Sequence, residues 1–314
     1  MTFIDLFSGI GGFRRGMEMA GHKCIGFCEY DKFAVASYTA MHLMTDEERK
    51  YIDTIPFRGR VKEANKEEYR HGEWYADDIT ELRADDIPTA DCWCFGFPCQ
   101  DISVAGKQAG LDGNRSGLFH TVIKLLEDTK KENRPSYLFI ENVKNLLSVN
   151  RGFDFLTVLS ELDKVGYDAE WQVLNSADYV PQNRERIFII GHLRGRSGRK
   201  VFPIERADGK NKILQIGMKK SKRKNPNTYR VYDITGISPT LGTTQGGLRM
   251  PILLVKNKLR KTTSKEYFRL QGWKDEYFAH AALVNSDSQL YKQAGNGVTV
   301  PAIYEIAKRM EVIE

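Results

Sequence analysis

A cysteine follows a proline in the segment Gly96-Phe97-Pro98-Cys99-Gln100, directly after the apolar run 91–95. The run has the composition of a strand, and a glycine and a proline end it. The thiol of Cys99 is therefore expected at a corner between a strand and a loop, where a substrate can reach it. A partly ionised thiol is the most nucleophilic side chain near neutral pH, so Cys99 is a candidate for covalent catalysis. Read alone, however, a single cysteine at a turn is more often structural.

A second chemical signal is the glycine-rich segment 7–12, Phe-Ser-Gly-Ile-Gly-Gly, which follows the first apolar run. Glycines let the backbone pass close to a ligand and open a helix whose N–H groups face that ligand. Glu29 ends the next apolar run, where it can accept hydrogen bonds from ribose hydroxyls. These features fit NAD, FAD or S-adenosylmethionine, although the spacing departs from the dinucleotide pattern G-x-G-x-x-G. A tight turn with a helix cap is the structural alternative.

The elements that must position these residues alternate between strand and helix. Short strands separated by helices predict an α/β fold with a doubly wound, mostly parallel sheet, in which ligands bind at the carboxyl ends of the strands. The charged segment 43–77 has little periodicity and is interpreted as a long insertion on the surface of the protein. Strands are predicted near 2–7, 24–28, 90–95, 138–140, 169–174 and 186–190, and helices near 13–20, 32–42, 155–165 and 301–310.

Bulk composition narrows the class of protein. The 314 residues are 41% hydrophobic and 28% charged, which suits a soluble protein with one large and one small domain. No stretch approaches the roughly 18 apolar residues that span a bilayer, and the first residues do not form a signal peptide. We therefore expect an intracellular protein without a membrane partner. The odd number of cysteines argues against a disulfide framework, and burial of Cys24, Cys92 and Cys94 in strands is favoured over a metal site.

Charge is distributed unevenly along the chain. Residues 192–261 contain 18 Lys or Arg and 3 acidic residues, whereas the remainder contains 29 basic and 38 acidic residues. A whole segment of one sign predicts a module that binds a polyanion such as nucleic acid. We therefore predict a small, basic, β-rich domain at 192–281, and a large domain formed by 1–191 plus 282–314.

Four short segments occur in a fixed order and together are more informative than any one of them. They are Gly96-Phe97-Pro98-Cys99-Gln100, Glu141-Asn142-Val143, Gln182-Asn183-Arg184-Glu185-Arg186 and Gln293-Ala294-Gly295-Asn296-Gly297-Val298. With them the chain resembles the cytosine-C5 DNA methyltransferases of bacteria and phages, most strongly at 2–36, 90–120, 137–147, 180–191 and 265–308. The resemblance implies transfer of a methyl group from S-adenosyl-L-methionine to C5 of a cytosine in a specific short duplex DNA sequence, in the bacterial cytoplasm.

The resemblance also assigns catalytic roles. It implies that Cys99 adds to C6 of a cytosine that has been flipped out of the duplex, because C5 is otherwise too weak a nucleophile. Glu141 would donate a proton or hydrogen bond to N3, which requires a raised pKa. Arg184 and Arg186 would orient the base and its phosphate. Without the family, a strand-edge ion pair with Glu185 or nearby acids would explain the arginines equally well, and Glu141 could be an acid at a helix N-terminus.

Further residues follow from the same resemblance. Residues 100–119 correspond to a mobile loop that closes over DNA, and Ser238–Gly242 resembles a motif that shapes the small domain. The variable stretch 195–236 would read the bases. The implied cofactor contacts are Phe7, Gly9, Gly11, Gly12, Glu29 at the ribose, Asp78, Ile79, Pro98, Leu118, Asn296 and Val298. The implied DNA contacts are Ser103 beside the site and Lys219, Lys220, Lys222, Arg223 and Lys224 at phosphates.

Three alternatives stay open. An RNA methyltransferase would use the same chemistry, but the tRNA branch of the family has Pro-Pro-Cys-Gln at the nucleophile and a Cys-Phe-Thr motif, and this sequence has neither. A DNA-binding module with an inactive catalytic half is the second alternative, and an NAD-dependent oxidoreductase is the third. The expected partners are double-stranded DNA and, as a genetic partner, a cognate restriction endonuclease. A monomer is sufficient for one flipped base.

Overall fold

The computed structural model describes residues 1–97, 117–196, 198–205, 212–218, 229–243 and 250–311. Several residues of the predicted site lie outside these ranges, and so does most of the predicted loop 100–119. They are Pro98, Cys99, Ser103, Lys219, Lys220, Lys222, Arg223 and Lys224.

Strands and helices alternate through the first half of the chain, as the sequence predicts. The strands are β1 (Thr2–Leu6), β2 (Lys23–Cys28), β3 (Trp74–Ala76), β4 (Cys92–Phe95), β5 (Tyr137–Val143), β6 (Tyr167–Asn175), β7 (Glu185–Leu193), β8 (Gln215–Met218), β9 (Arg230–Asp233), β10 (Ile252–Val255) and β11 (Lys258–Lys261). The helices are α1 (Gly12–Met19), α2 (Lys32–His42), α3 (Asp46–Thr54), α4 (Phe57–Ala64), α5 (Leu118–Asp128), α6 (Phe153–Lys164), α7 (Ser264–Leu270), α8 (Asp275–Val284), α9 (Asp287–Asn296) and α10 (Val300–Ala307).

A seven-stranded sheet in the order β3-β2-β1-β4-β5-β7-β6 forms the centre of the large domain. All neighbouring pairs are parallel except those of β7, which runs antiparallel to both β5 and β6. The α/β class and the mostly parallel sheet are therefore confirmed. Because β7 is reversed, it begins where β5 ends, and Val143 pairs with Arg186.

Two apolar layers cover the sheet because successive residues of each buried strand point to opposite faces. One layer joins Trp93 and Leu138 of the sheet to Phe119 of α5 and Val158 of α6. The other joins the opposite faces of β1 and β5 to α1 and α10. Helix α10 therefore packs back onto the first domain, as its apolar spacing predicts. Cys24, Cys92 and Cys94 are buried in this second layer, as expected.

The segment 43–77 is more ordered than the expected surface insertion. Thr45 and Glu48 form a capping box at the start of α3, helix α4 follows, and the segment ends in the edge strand β3. Ile52 and Ala64 are fully buried against Ala36 of α2 and Val284 of α8. The sequence shows no helical periodicity for α3 and α4 because each of these helices buries only one of its own residues.

A buried ion pair connects the end of this segment to the first helix. Arg14 is 7% exposed, and its guanidinium contacts Glu73 at 2.6 Å, Glu18 at 2.8 Å and the Tyr38 hydroxyl at 3.3 Å. Burial raises the pKa of the Glu73 carboxyl, and the charge of Arg14 opposes that change. Removing Glu73 would leave the buried Arg14 charge with Glu18 as its remaining carboxylate partner, so part of the compensation for burying that charge would be lost.

We therefore expect Glu73→Ala to lower the free energy of unfolding by about 3 kcal/mol. Asp168→Ala is the matched control, because Asp168 pairs with Arg194 at 2.7 Å at the surface and should cost less than about 1 kcal/mol. Urea denaturation of the two variants measures both values. Equal losses would show that the Glu73 pair has no special role in stability.

The small sheet follows the large one in the chain and has the order β11-β10-β9-β8. The linker before it packs on the large domain, since Val201, Phe202 and Ile204 lie in the same apolar layer as α1 and α10. The domain boundaries at 192 and 281 stay a prediction. In the described part of the chain, no helix combines the length and apolar character that crossing a membrane would require.

Candidate active site and cofactor loop

The glycine-rich segment forms a tight loop between β1 and α1. Phe7, Gly9 and Gly11 all have positive φ values, of 53°, 56° and 80°. The Ser8 N–H donates to the Cys28 carbonyl at 3.0 Å, and the Gly11 N–H donates to the Ser8 carbonyl at 2.8 Å. Glycine is needed at position 11 because other residues rarely adopt this left-handed conformation. We call residues 7–12 the cofactor loop.

Glu29 lies beside the cofactor loop at the carboxyl end of β2. Its Oε2 accepts a hydrogen bond from the Gly9 N–H at 2.8 Å, and its Oε1 accepts one from the Asp31 N–H at 2.8 Å. Burial raises the pKa of this carboxyl, and these two hydrogen bonds oppose the rise. Each carboxylate oxygen has a second lone pair, so Glu29 can still accept hydrogen bonds from ligand hydroxyls.

Tyr30 is a candidate site residue that the sequence analysis missed. Its side chain is 79% exposed, although it directly follows Glu29 at the end of a buried strand. A flat, exposed ring next to a hydroxyl-binding carboxylate is suited to stack on an aromatic base. The signal in the sequence was the aromatic residue itself, placed one position after the predicted ribose ligand.

Other predicted cofactor residues form two groups of contacts. Phe7, Ile79 and Leu118 pack in the same apolar layer. Gly12 lies against Val298, because a Cβ on Gly12 would be 2.6 Å from a methyl carbon of Val298. Two polar residues of the predicted set lie elsewhere: Asn296 is exposed at the end of α9, and Asp78 accepts hydrogen bonds from the backbone and hydroxyl of Thr80.

Glu141 and Arg186 form an ion pair at the carboxyl end of β5. The Arg186 Nε is 3.0 Å from the Glu141 Oε1, as the reversed strand β7 allows. On the other side, a Cβ on Gly96 would be 3.2 Å from Oε2, so the backbone of Gly96 closely approaches the carboxyl. Burial raises the pKa of Glu141, while Arg186 and Arg184 act in the opposite direction. The carboxyl therefore holds a proton to a higher pH than an exposed glutamate does.

Asn142 links this pair to the segment that contains the predicted nucleophile. Its side chain is buried and donates to the Phe97 carbonyl at 3.2 Å, while its oxygen accepts the Val143 N–H at 2.8 Å. Phe97 is the last described residue before Pro98 and Cys99. Asn142 has no predicted role of its own in its motif, although a polar residue in a buried strand was a usable signal.

Arg184 makes contacts that differ in kind from those of Arg186. It is 3% exposed, and its guanidinium donates to the carbonyls of Leu241, Gly295 and Gly297 at 3.4, 3.3 and 2.9 Å. Gln182, which the motif contains without a role of its own, and Gln271 are fully buried next to the same backbone segments. The described contacts of Arg184 therefore hold the backbone of the site together, and its contact with a base stays a prediction.

Of the acids considered as ion-pair partners for the two arginines, Glu185 pairs with a lysine, whereas the nearby Glu141 does pair with Arg186. Lys144 Nζ lies 2.9 Å from both carboxylate oxygens of Glu185. The Glu141 carboxylate therefore pairs with Arg186, and the Glu185 carboxylate pairs separately with Lys144.

The chain is similar to known proteins over nearly its whole length. The family model described as "C-5 cytosine-specific DNA methylase" matches residues 1–58, 62–235 and 196–312. The Type II methyltransferase M.HhaI of Haemophilus parahaemolyticus is 30% identical, covering 98% of this chain and 93% of that protein. The Type II methyltransferase M.HaeII of Haemophilus aegyptius is 31% identical, covering 98% and 92%.

Solved structures show the same fold at low sequence identity. The S. pombe Dnmt2 methyltransferase superposes with a TM-score of 0.68 at 17% identity, covering 98% of this chain and 97% of that one. The Entamoeba histolytica methyltransferase EhMeth gives a TM-score of 0.68 at 16% identity, covering 97% and 96%.

Proposed function

Because the chain belongs to the family of C-5 cytosine-specific DNA methylases, we propose that it methylates a flipped cytosine through a covalent bond to Cys99. Membership makes it a DNA (cytosine-5-)-methyltransferase that uses S-adenosyl-L-methionine. The observation that carries the proposal is the partly buried Glu141–Arg186 pair, which Asn142 connects to the residue just before Pro98 and Cys99.

The first step is addition of the Cys99 thiolate to C6 of the cytosine. The new S–C6 bond shifts the electron pair of the C5–C6 double bond, so that C5 becomes an enamine carbon and N3 takes up a proton. C5 is then nucleophilic enough to be methylated. Loss of the C5 proton and departure of the thiolate re-form the C5–C6 double bond, and N3 returns its proton to the Glu141 carboxylate, which restores the ring and the enzyme.

Glu141 supplies the proton or hydrogen bond that N3 requires. Its raised pKa keeps the carboxyl protonated for more of the time than an ordinary glutamate near neutral pH. Arg186 holds the carboxyl through Nε, which fixes the direction in which the acid points. Arg184 holds the backbone at Leu241 and Gly297, and we assign it a positioning role in addition to the predicted contact with the base.

The described residues have the chemistry that the methyl donor needs. Glu29 would accept hydrogen bonds from the ribose hydroxyls, and the exposed ring of Tyr30 would stack on the adenine. Phe7, Ile79 and Leu118 offer apolar contacts beside them. Pro98, Asn296 and Val298 would complete the pocket. When bound, S-adenosyl-L-methionine supplies an electrophilic methyl group.

DNA binding is proposed for the basic segment 192–261 and for the residues that follow Cys99. Lys219, Lys220, Lys222, Arg223 and Lys224 would meet phosphates, which give affinity without sequence specificity. Ser103 would contact the backbone beside the flipped base. Extrusion is required because C5 and C6 of a stacked cytosine are inaccessible to a thiol.

The biological setting follows from the names of the relatives. Type II methyltransferases belong to restriction-modification systems, so we propose a cognate restriction endonuclease as genetic partner. We further propose that the protein acts as a monomer in the bacterial cytoplasm.

The function can be tested by bisulfite sequencing of plasmid DNA from cells that express the chain. We expect cytosines protected from conversion at one short recurring sequence and nowhere else. An in vitro assay with a labelled methyl donor then compares duplex DNA with a tRNA transcript, and label is expected on DNA alone. Methylation of the transcript without methylation of DNA would favour the RNA alternative and overturn the proposal.

A further inference from the structure

We propose that His42 is a positioning residue for the cofactor loop and sets the affinity for the methyl donor by holding the carbonyl of Ile10. This inference rests on the proposed role of residues 7–12 in binding S-adenosyl-L-methionine. His42 is the last residue of α2, and its Nε2 lies 3.0 Å from the Ile10 carbonyl oxygen. No motif of the family resemblance includes this residue.

The hydrogen bond defines the chemical form of the ring. A carbonyl oxygen only accepts, so His42 Nε2 must carry the proton and donate it. Burial lowers the pKa of His42 well below its ordinary value, and the positive charges of Arg14 and Arg15 act in the same direction. The ring is therefore neutral, with its single N–H directed at the loop.

The aromatic neighbours of His42 fix the orientation of its ring. Its centroid is 5.0 Å from that of Tyr38, 5.6 Å from Tyr277 and 5.9 Å from Trp273. These rings come from α2, from α8 and from the turn between α7 and α8. Because three aromatic side chains surround the imidazole, the Nε2–H has little freedom to move away from Ile10.

The same ring also explains why the loop needs a glycine next to Ile10. A Cβ on Gly11 would lie 2.5 Å from His42 Nε2, closer than nonbonded atoms approach. Gly11 already has a φ of 80°, so two independent features require glycine here. His42 thus contacts both residues in the middle of the cofactor loop.

The side chain of Ile10 is held from the other direction. It is 2% exposed and packs in an apolar cluster with Leu241, Phe268 and Trp273, which come from the C-terminal part of the chain. With its side chain buried on one side and its carbonyl bound on the other, the peptide after Ile10 has one orientation. The N–H groups of the loop that face the ligand then have fixed directions.

Removal of the N–H donor should therefore weaken cofactor binding and leave DNA binding unchanged. His42→Phe keeps a ring of similar size and removes the donor, whereas His42→Gln keeps an N–H at a similar distance from the backbone. His22→Phe is the matched control, because His22 Nε2 also lies 3.0 Å from a backbone carbonyl, that of Ala307, and His22 precedes the amino end of β2, whereas the cofactor loop lies beside its carboxyl end.

The measurements are the Kd for S-adenosyl-L-methionine by calorimetry, and KM for each substrate together with kcat. We expect His42→Phe to raise the cofactor Kd and KM about tenfold, and His42→Gln to stay within about threefold of wild type. The KM for DNA and the kcat at saturating cofactor should not change in either variant. His22→Phe should bind the cofactor as wild type does. A purely structural role would instead change stability and both KM values together.

Two results would overturn the inference. One is wild-type cofactor affinity in His42→Phe, and the other is an equal loss in His42→Gln and His42→Phe. If His42→Phe does not fold, nitrogen-15 NMR of the unmutated protein decides the question, because a proton on Nδ1 instead of Nε2 contradicts the hydrogen bond.

Glu29→Ala separates this inference from the proposed function. If wild type binds no cofactor, the proposed function fails. If wild type binds the cofactor, and Glu29→Ala loses affinity for it while His42→Phe does not, only the role of His42 is rejected.

Discussion

Replacing Cys99 with alanine is expected to slow methyl transfer to DNA by roughly 10⁴-fold or more. Without the thiolate, C5 of cytosine never becomes an enamine carbon, so the remaining groups of the site have no activated ring to act on. Binding of cofactor and DNA should persist, because neither depends on the covalent bond. The loss should therefore appear in kcat and leave the Kd for DNA within about threefold of wild type.

The experiment uses duplex DNA with 5-fluorocytosine at the target position, together with methyl donor. Wild type should form a complex with this DNA that survives denaturing electrophoresis, since fluorine cannot leave as the C5 proton does. Cys99→Ala should form none. Cys24→Ala is the control, because burial raises the pKa of the Cys24 thiol to about 12 and keeps it protonated. Methyl transfer by Cys99→Ala at the wild-type rate would refute the covalent mechanism.

The sequence predicts the parts of this fold that depend on local pattern. Buried strands are short apolar runs, so the positions of β1, β2, β4 and β5 could be read directly, and with them the location of Glu29 and Glu141 at the strand ends. The sheet order and the reversal of β7 involve pairing between distant segments, which no local pattern contains. That reversal places Arg186 next to Glu141.

The segment 43–77 shows where sequence reasoning was wrong. Its helices are mostly solvent-exposed and carry many charges, so their few buried positions give no periodic signal. What stabilises them comes from elsewhere: Ile52 and Ala64 fill a space between α2 and α8, and Arg60 donates to the Leu283 carbonyl at 3.0 Å. Tertiary packing, and not intrinsic propensity, determines such short helices.

The roles of several buried polar side chains were also not predicted from the sequence. Asn142, Gln182 and Gln271 are almost completely buried and bind backbone carbonyls of distant segments. The sequence shows that such a polar residue is there, but only the folded structure shows which backbone carbonyl accepts its hydrogen bond. The same is true of His42, whose partner lies 32 positions earlier in the sequence.

Replacement of Glu141 by glutamine is the second change with a large expected effect. The amide keeps the size of the side chain and can donate a hydrogen bond, but it cannot transfer a proton to N3. We therefore expect kcat to fall by about 10²- to 10³-fold. Formation of the 5-fluorocytosine complex should slow by a similar factor, because the addition of Cys99 and the protonation of N3 occur together.

The dependence of kcat on pH tests whether Glu141 is the acid. Activity requires the protonated carboxyl, so kcat should fall as the pH rises through the pKa of Glu141, which burial has raised. Arg186 lowers that pKa, so Arg186→Leu should move the fall in kcat to higher pH, in addition to any loss in rate. Glu141→Gln should lack this fall altogether, since an amide does not titrate. If Glu141→Gln keeps the same alkaline fall as wild type, another group is the acid and Glu141 only orients the base.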